Sequence, residues 1–188
     1  MTDVQVTVYG GANQIGGNKI LLEDGQAQIF FDFGLNFQDL GKYFTAFLSP
    51  RAATSGTYDH LMMGLLPPLP AIYRTDASVE ALHSSAWSNA RKAEGYRDDV
   101  NPLGILVSHA HMDHIGFVSF LLPDTPVVAT ATTALIAKSM QDTGLGGMST
   151  EVVYHNTRQE VDQILRSDSK AQLERRPWLI VDNATWSS

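Results

Sequence analysis

Three of the six histidines in the chain lie within one short stretch, residues 109 to 114. This stretch reads His-Ala-His-Met-Asp-His, so three imidazoles and one carboxylate lie almost side by side along the chain. Imidazole and carboxylate groups without thiolates suit zinc, with manganese and iron as competitors. Such a string is not expected by chance in a chain with so few histidines, and it therefore predicts a metal site.

The segments around the string indicate how it is positioned. The apolar run of residues 103 to 107 predicts a buried strand that leads into His109. If the chain stays extended, His109 and His111 point to the same side and can share one ion, because side chains alternate along a strand. Asp113 and His114 follow where the chain turns into a helix-compatible apolar run, residues 115 to 122. This second pair faces the same cavity from another angle and can hold a second ion.

The string, together with Ile115 and Gly116, resembles the H-x-H-x-D-H signature of the metallo-β-lactamase fold. Its form is similar to that of the RNA- and DNA-processing branch, which includes RNase J and the β-CASP nucleases. Residues 9 to 18 resemble the opening Gly-Gly-x-x-Glu-Ile-Gly-Gly-Asn of that branch, although Gln14 replaces the usual Glu. Residues 29 to 34, Ile-Phe-Phe-Asp-Phe-Gly, resemble the first motif of the fold, a strand that ends in Asp-x-Gly.

The resemblance implies a metal-dependent hydrolase with two zinc ions, or manganese, that cleaves phosphodiester bonds in RNA. His109 and His111 would hold the first ion, and Asp113 and His114 the second. Asp113 would also be the catalytic residue that orients or deprotonates the attacking water, and Asp32 would hydrogen-bond a ligand or a loop amide from behind. A thioesterase or lactonase of the same fold is the alternative hydrolase. A catalytically silent metal-binding fragment is the alternative outside enzymes.

The resemblance covers only the N-terminal part of that domain. In the fold, each metal takes further ligands from later strands, whereas the only histidine after His114 is His155, in a segment that does not resemble the third motif. We therefore expect residues 1–188 to form an α/β domain with α+β layers, the N-terminal half of an αββα sandwich, without the C-terminal half or any β-CASP region. Either the sequence is a fragment of a longer chain, or another chain completes the domain. Because a truncated domain exposes its core, we also expect a homo-oligomer.

Residues 34–76 are the least regular stretch, rich in proline, and resemble an insertion of some RNase J-like proteins. One interpretation is a wall of the substrate cleft, in which aromatic side chains stack on bases and Arg51 and Arg74 bind phosphate. The other is that the aromatic side chains anchor the loop to the core, which is the commoner arrangement. The aromatic residues in question are Phe37, Tyr43, Phe44, Phe47, Tyr58 and Tyr73.

Composition limits the class of protein. A chain of 188 residues, 44% hydrophobic and 18% charged, fits one ordinary globular domain. It has no cysteine, which excludes disulfides and is compatible with the reducing cytoplasm, where we place it. No apolar run approaches the ~20 residues of a membrane span. The net charge of −7 argues against a broadly basic RNA-binding surface, but metal ions would draw phosphate locally.

The remaining pattern predicts alternating strands and helices, and hence a layered α/β domain. The dipeptide Asp24-Gly25 predicts a hairpin. The glycine-rich residues 10–17 predict a tight hairpin connection and not a phosphate cradle, since no Gly-Lys-Ser/Thr and no helix follows. We predict strands over 4–9, 18–23, 27–31, 126–129, 152–154 and 178–181, and helices over 78–96, 130–141 and 157–176.

Overall fold

The computed structural model describes residues 3–45, 48–144, 147–168 and 170–181. These residues form an α/β structure around a six-stranded mixed sheet with the strand order β1-β2-β3-β4-β5-β10. The strands are β1 (Val4–Gly10), β2 (Lys19–Asp24), β3 (Ala27–Phe31), β4 (Gly104–Leu106), β5 (Val127–Thr130), β6 (Tyr154–His155), β7 (Arg158–Val161), β8 (Ile164–Ser167), β9 (Glu174–Arg175) and β10 (Trp178–Val181).

The helices are short and lie between the strands. They are α1 (Phe37–Tyr43), α2 (Ala52–Ser55), α3 (Tyr58–Met62), α4 (Glu80–Ala90), α5 (Met112–Ile115) and α6 (Ala131–Thr143), with 3₁₀ turns at Pro70–Ile72, Thr75–Ala77, Val118–Phe120 and Met148–Thr150. Within the described ranges, none of them has the length and hydropathy that crossing a membrane requires.

Two kinds of strand pairing build the sheet. β1 pairs with β2, and β2 with β3, in antiparallel fashion. Asp24 pairs with Ala27 around a two-residue loop in which Gly25 has a φ of 60°, so the predicted hairpin is confirmed. The strands β3, β4, β5 and β10 are parallel to one another. The carboxyl ends of β3 and β4 therefore lie at the same edge of the sheet.

The core lies on one face of this sheet. Leu21, Phe30, Ile105 and Val127, one from each of four neighbouring strands, are fully buried there. Phe30 packs edge-on against Phe33, with ring centroids 5.2 Å apart.

Residues 34–76 fold as short helices and turns and add buried side chains to the core, as the anchoring interpretation expects. Tyr73 is buried and its hydroxyl donates to the Pro67 carbonyl at 2.8 Å. Phe37 and Tyr43, in contrast, are exposed. Phe47 lies outside the described residues.

The helix predicted over residues 157–176 is wrong. β7 and β8 form an antiparallel hairpin instead, joined by Asp162 and Gln163 at left-handed φ values of 54° and 62°. Two such residues make the turn that matches the twist of a hairpin. The mixed charges were consistent with a solvated helix face, but they suit a solvated hairpin equally well. Only Arg158 and Leu165 of its two strands are buried.

Two predicted helices are shorter in the structure. The apolar run after His114 is divided into α5 and a separate 3₁₀ turn. The helix predicted over residues 78–96 spans Glu80 to Ala90, and Val79, not Ser78, occupies its cap position.

Candidate metal centre

The histidine string lies at the carboxyl edge of the parallel strands, where the backbone passes from β4 into α5. His111 is still extended, with φ −71° and ψ 146°, and α5 begins at the next residue. Nε2 of His109 lies 3.1 Å from Nδ1 of His111. The ring centroid of His114 lies 3.9 Å from that of His109. The structure thus brings the three histidines of the string together.

A second pair of donor atoms lies beside the first. Nε2 of His114 is 3.4 Å from Oδ2 of Asp113. With zinc–ligand bonds of 2.0–2.2 Å, two ligand atoms of a tetrahedral site lie roughly 3.3 Å apart, and both pairs are close to that separation. Among the residues that the structure describes, no group of three or more His, Cys, Asp or Glu side chains is arranged to hold one ion. The donor chemistry therefore fits zinc, but each pair supplies only part of a coordination sphere.

Asp32 lies directly behind His114. Its Oδ2 is 2.7 Å from Nδ1 of His114, and its Oδ1 accepts from the Ser108 amide at 2.8 Å. When Nδ1 of His114 donates this hydrogen bond, the lone pair of Nε2 is left free on the side of Asp113. Asp32 has a φ of 55°, a conformation that costs roughly 1–3 kcal/mol outside glycine. The backbone and side-chain bonds around it hold this strained position.

Ser108 is a contributor that the sequence reasoning did not assign. Its hydroxyl lies 2.9 Å from Oδ2 of Asp32, 3.0 Å from Nδ1 of His109 and 3.1 Å from Nδ1 of His114. One hydroxyl therefore joins the carboxylate to both donor pairs. Its position directly before the string was the only signal available in the sequence.

Three glycines pack against Asp113. The amide of Gly17 donates to the Asp113 carbonyl at 2.8 Å. A Cβ on Gly16 would overlap the Asp113 side chain, and one on Gly34 would overlap the Asp113 carbonyl. Glycine allows this close approach, and Gly16 and Gly17 also have left-handed φ values of 75° and 72°. The glycine-rich loop joins the antiparallel strands β1 and β2, as predicted, but it spans residues 11–18 and is not the tight turn that was expected. It also braces the carboxylate of the string.

The segment after β3 holds the main chain of α5. Phe33 donates its amide to the His114 carbonyl at 2.8 Å, and Leu35 donates to the Met112 carbonyl at 3.0 Å. The Asp-x-Gly motif thus supplies the carboxylate behind His114, and the irregular segment that begins in this motif fixes the helix that carries His114.

A buried lysine lies beneath the glycine loop. Lys19 Nζ donates to the Gly17 carbonyl at 3.2 Å and lies 5.1 Å from the ring centroid of Phe117. Burial lowers the pKa of Lys19 from 10.5 to about 8, and the charge of Asp39 opposes this shift. The loop that braces Asp113 is therefore itself held by a costly buried cation.

The two arginines predicted to bind phosphate have different surroundings. Arg51 is on the surface, and its guanidinium is paired with Asp59 at 2.7 Å; this hydrogen bond raises the pKa of Arg51. Arg74 is 1% exposed and is paired with Asp76 at 2.7 Å and with Glu151 at 3.2 Å. The burial of Arg74 does not fit the predicted phosphate contact, because a substrate has no access to its guanidinium.

A mostly apolar cavity of about 260 Å³ lies beside α5. Residues 34–76 form much of its wall, but neither predicted arginine lines it, and among the described residues none of the aromatic side chains predicted to stack on bases does. The cavity is lined by Leu35, Leu40, Ser49, Pro50, Ala52, His60, Met112, Gly116, Phe117 and Ser149.

No model of a known protein family and no curated protein matches the sequence. Among solved structures, the chain is similar to a protein of unknown function from Enterococcus faecalis V583. The two share 22% sequence identity with a TM-score of 0.49, over 79% of this chain and 32% of the other. The chain therefore spans about a third of the length of that protein, whose description names no activity.

Proposed function

We propose that the chain carries the metal-binding part of a metal-dependent hydrolase of the metallo-β-lactamase fold, with RNA phosphodiesters as substrate. The observation that supports this proposal is the arrangement at the sheet edge. His109 lies against His111, His114 lies against Asp113, and Asp32 is hydrogen-bonded to His114 from behind. Ligand sites of parallel sheets form at this edge, outside the carboxyl ends of the strands.

Four side chains hold the metal ions in this proposal, and one of them, Asp113, also takes part in the reaction. His109 and His111 hold one zinc or manganese ion, and His114 and Asp113 hold the other. Bound metal lowers the pKa of a water toward neutrality and stabilises charge on the phosphoryl oxygens. Asp32 keeps the Nε2 lone pair of His114 directed at the site. Asp113, braced by the glycine loop, accepts a proton from the attacking water.

The charge of the chain bears on how RNA would be attracted. A net charge of −7 offers no general attraction for a polyanion. Attraction would rest on the metal ions and a few phosphate contacts, and we expect a salt dependence well below that of proteins with many phosphate contacts.

Two observations favour other functions. The apolar cavity beside α5 suits an acyl group, which favours a thioesterase or lactonase. The two-atom donor pairs in the described residues favour a silent metal-binding module. RNA remains the first choice because the string and the glycine-rich opening resemble the nuclease branch.

Elemental analysis of protein purified without chelator, followed by turnover of end-labelled RNA with added zinc or manganese, tests the proposal. We expect near two metal ions per chain, and about one in the double variant His109→Ala, His111→Ala. The control His83→Ala removes an exposed histidine outside the string and should keep both ions.

Asp113→Ala should abolish RNA cleavage, and cleavage retained by this variant would refute its assignment. Metal content near zero in the wild type would refute the metal site itself. Metal binding with cleavage of a thioester but not of RNA would select the acyl hydrolase. Metal binding without any turnover would select the silent module.

A further inference from the structure

A second cavity, of about 760 Å³, lies between α6 and β10 and shares no lining residue with the cavity beside α5. Trp178 and Ile180 of β10 line it. Their partners in β5 are Val127 and Ala129, which are buried in the core. Cross-strand partners point to the same face, so the cavity lies on the core face of the sheet, in the layer of the helices. The second sheet of an αββα sandwich would cover the opposite face and leave this cavity open.

The wall of this cavity is mainly apolar and is partly in contact with solvent. Leu135, Leu173 and Ile180 line it and are 70%, 48% and 45% exposed. Apolar side chains that converge on one cavity are typical of a binding groove, whereas single exposed apolar residues are ordinary surface. The volume lies within the range of about 300–1,000 Å³ of small-molecule pockets, which combine apolar walls with a few polar groups. The cavity therefore fits one small molecule with an apolar body.

The charged residues that line the cavity are all basic: Lys138, Arg175 and Arg176. This is unusual in a chain with 20 acidic and 13 basic residues. Lys138 is paired with Asp142. The side chain of Arg175 makes no ion pair or hydrogen bond with any residue that the structure describes. Its guanidinium is therefore free to bind an anion, and carboxylates suit its two parallel N–H groups.

Arg176 adds a buried positive charge to the wall. It is 4% exposed, and its guanidinium donates to three main-chain carbonyls, those of Leu121 at 3.0 Å, Leu122 at 2.6 Å and Thr125 at 3.4 Å. Its Nε has no partner in the part of the chain that the structure describes. Asp124 acts on this charge only from beyond ion-pair distance. Carbonyls satisfy donors but bring no counter-charge, and a buried charge without one is costly. An anion in the cavity would reduce this cost.

We propose that this cavity binds a single-chain carboxylate of the fatty-acid type, with its chain on the apolar wall and its carboxylate at Arg175. None of the lining residues belongs to the candidate metal centre, so the proposal does not rest on the proposed function. A lipid membrane fits the charges less well. It would bring an anionic surface against a chain of net charge −7, whereas a single molecule meets only the local cations.

Isothermal titration calorimetry with decanoate, below its micelle-forming concentration, tests the proposal. We expect saturable binding, at least tenfold tighter than that of decan-1-ol, which has the same chain without the charge. Leu135→Glu places a negative charge in the wall and should weaken decanoate binding at least tenfold. Ile136→Glu is the matched control, because it adds the same charge at the next residue of α6, outside the cavity, and should leave the affinity unchanged.

Three outcomes of this titration would overturn the proposal. They are no saturable binding of decanoate, equal affinities for decanoate and decan-1-ol, and equal affinities of the two glutamate variants for decanoate. Binding of phosphatidylglycerol vesicles without binding of decanoate would also overturn it, because the occupant would then be a membrane.

A second comparison tests the position of the carboxylate. Arg175→Gln removes the free guanidinium and should weaken decanoate binding at least fivefold without changing the affinity for decan-1-ol. Arg166→Gln removes another exposed arginine, outside the cavity, and should change neither affinity. An unchanged affinity for decanoate in Arg175→Gln, or an equal fall in Arg166→Gln, would overturn the proposal.

Discussion

Acid should destabilise this fold through one histidine outside the candidate metal centre. His60 is 3% exposed, and its ring lies 5.3 Å from that of Phe117 and 4.8 Å from that of Phe120. Burial lowers the pKa of His60 from 6.5 to about 4, and the charge of Asp59 opposes this effect. The unfolded chain therefore binds a proton at this residue before the folded protein does. Folding free energy is lost as the pH falls from about 6.5 to about 4.

The size of the effect follows from the two pKa values of His60. The difference between 6.5 and about 4 corresponds to about 3 kcal/mol in total. About 2 kcal/mol of this is lost between pH 7 and pH 5. For a domain with a free energy of unfolding of about 5–15 kcal/mol, such a loss is readily measured.

Urea denaturation followed by the fluorescence of the three tryptophans, at several pH values from 7 to 5, measures this loss. His60→Phe retains an aromatic ring and removes the titrating nitrogens, so it should lose about 2 kcal/mol less than the wild type over this range. The carboxylates titrate in both proteins and cancel in the comparison. His83→Phe, on an exposed histidine, should behave like the wild type. The same pH dependence in His60→Phe and wild type would refute the reasoning.

Three further predictions concern buried or close-packed positions. Gly16→Ala should weaken zinc binding at least tenfold, measured by competition titration, because the new Cβ displaces the aspartate of the string. The control Gly64→Ala lies at a similar φ of 67° but in open space, and it should leave zinc binding unchanged. Glu151→Gln should lower the free energy of unfolding by about 3–5 kcal/mol, as urea denaturation would measure. The Arg158 guanidinium is buried 2.6 Å from a carboxylate oxygen of Glu151, and the variant leaves it without this counter-charge. A loss below 1 kcal/mol would contradict this reasoning. The stability of the wild type should rise by up to about 3 kcal/mol between pH 8 and pH 10.5, because the unfolded chain binds the proton of Lys19 more tightly than the folded protein does. Lys19→Met should abolish this rise, and a rise that persists in the variant would exclude this lysine as its source.

Local patterns in the sequence were sufficient to predict some of the structural features described above. The hairpin at Gly25 follows from the conformational freedom of one residue, and the neighbouring rings of His109 and His111 follow from the alternation of an extended chain. Both are decided within a few residues.

Features that depend on distant parts of the chain were not predictable in this way. Nothing near Arg74 shows that Glu151, 77 residues later, neutralises it inside the core. Likewise, the contact of Gly34 with the Asp113 carbonyl arises only when β3 pairs with β4. The sequence pattern did not predict the β7–β8 hairpin, because its charged residues show no periodicity that distinguishes a solvated strand from a solvated helix.

The main-chain clamp on α5 has a consequence for how the site can change. A helix of four residues has almost no stability of its own. Its position is set by amide-to-carbonyl bonds from Gly17, Phe33 and Leu35, none of which involves the side chain of a candidate metal ligand. These main-chain bonds do not depend on which side chains α5 carries. The side chains that α5 presents can therefore be exchanged by mutation without loss of the main-chain bonds that hold the helix.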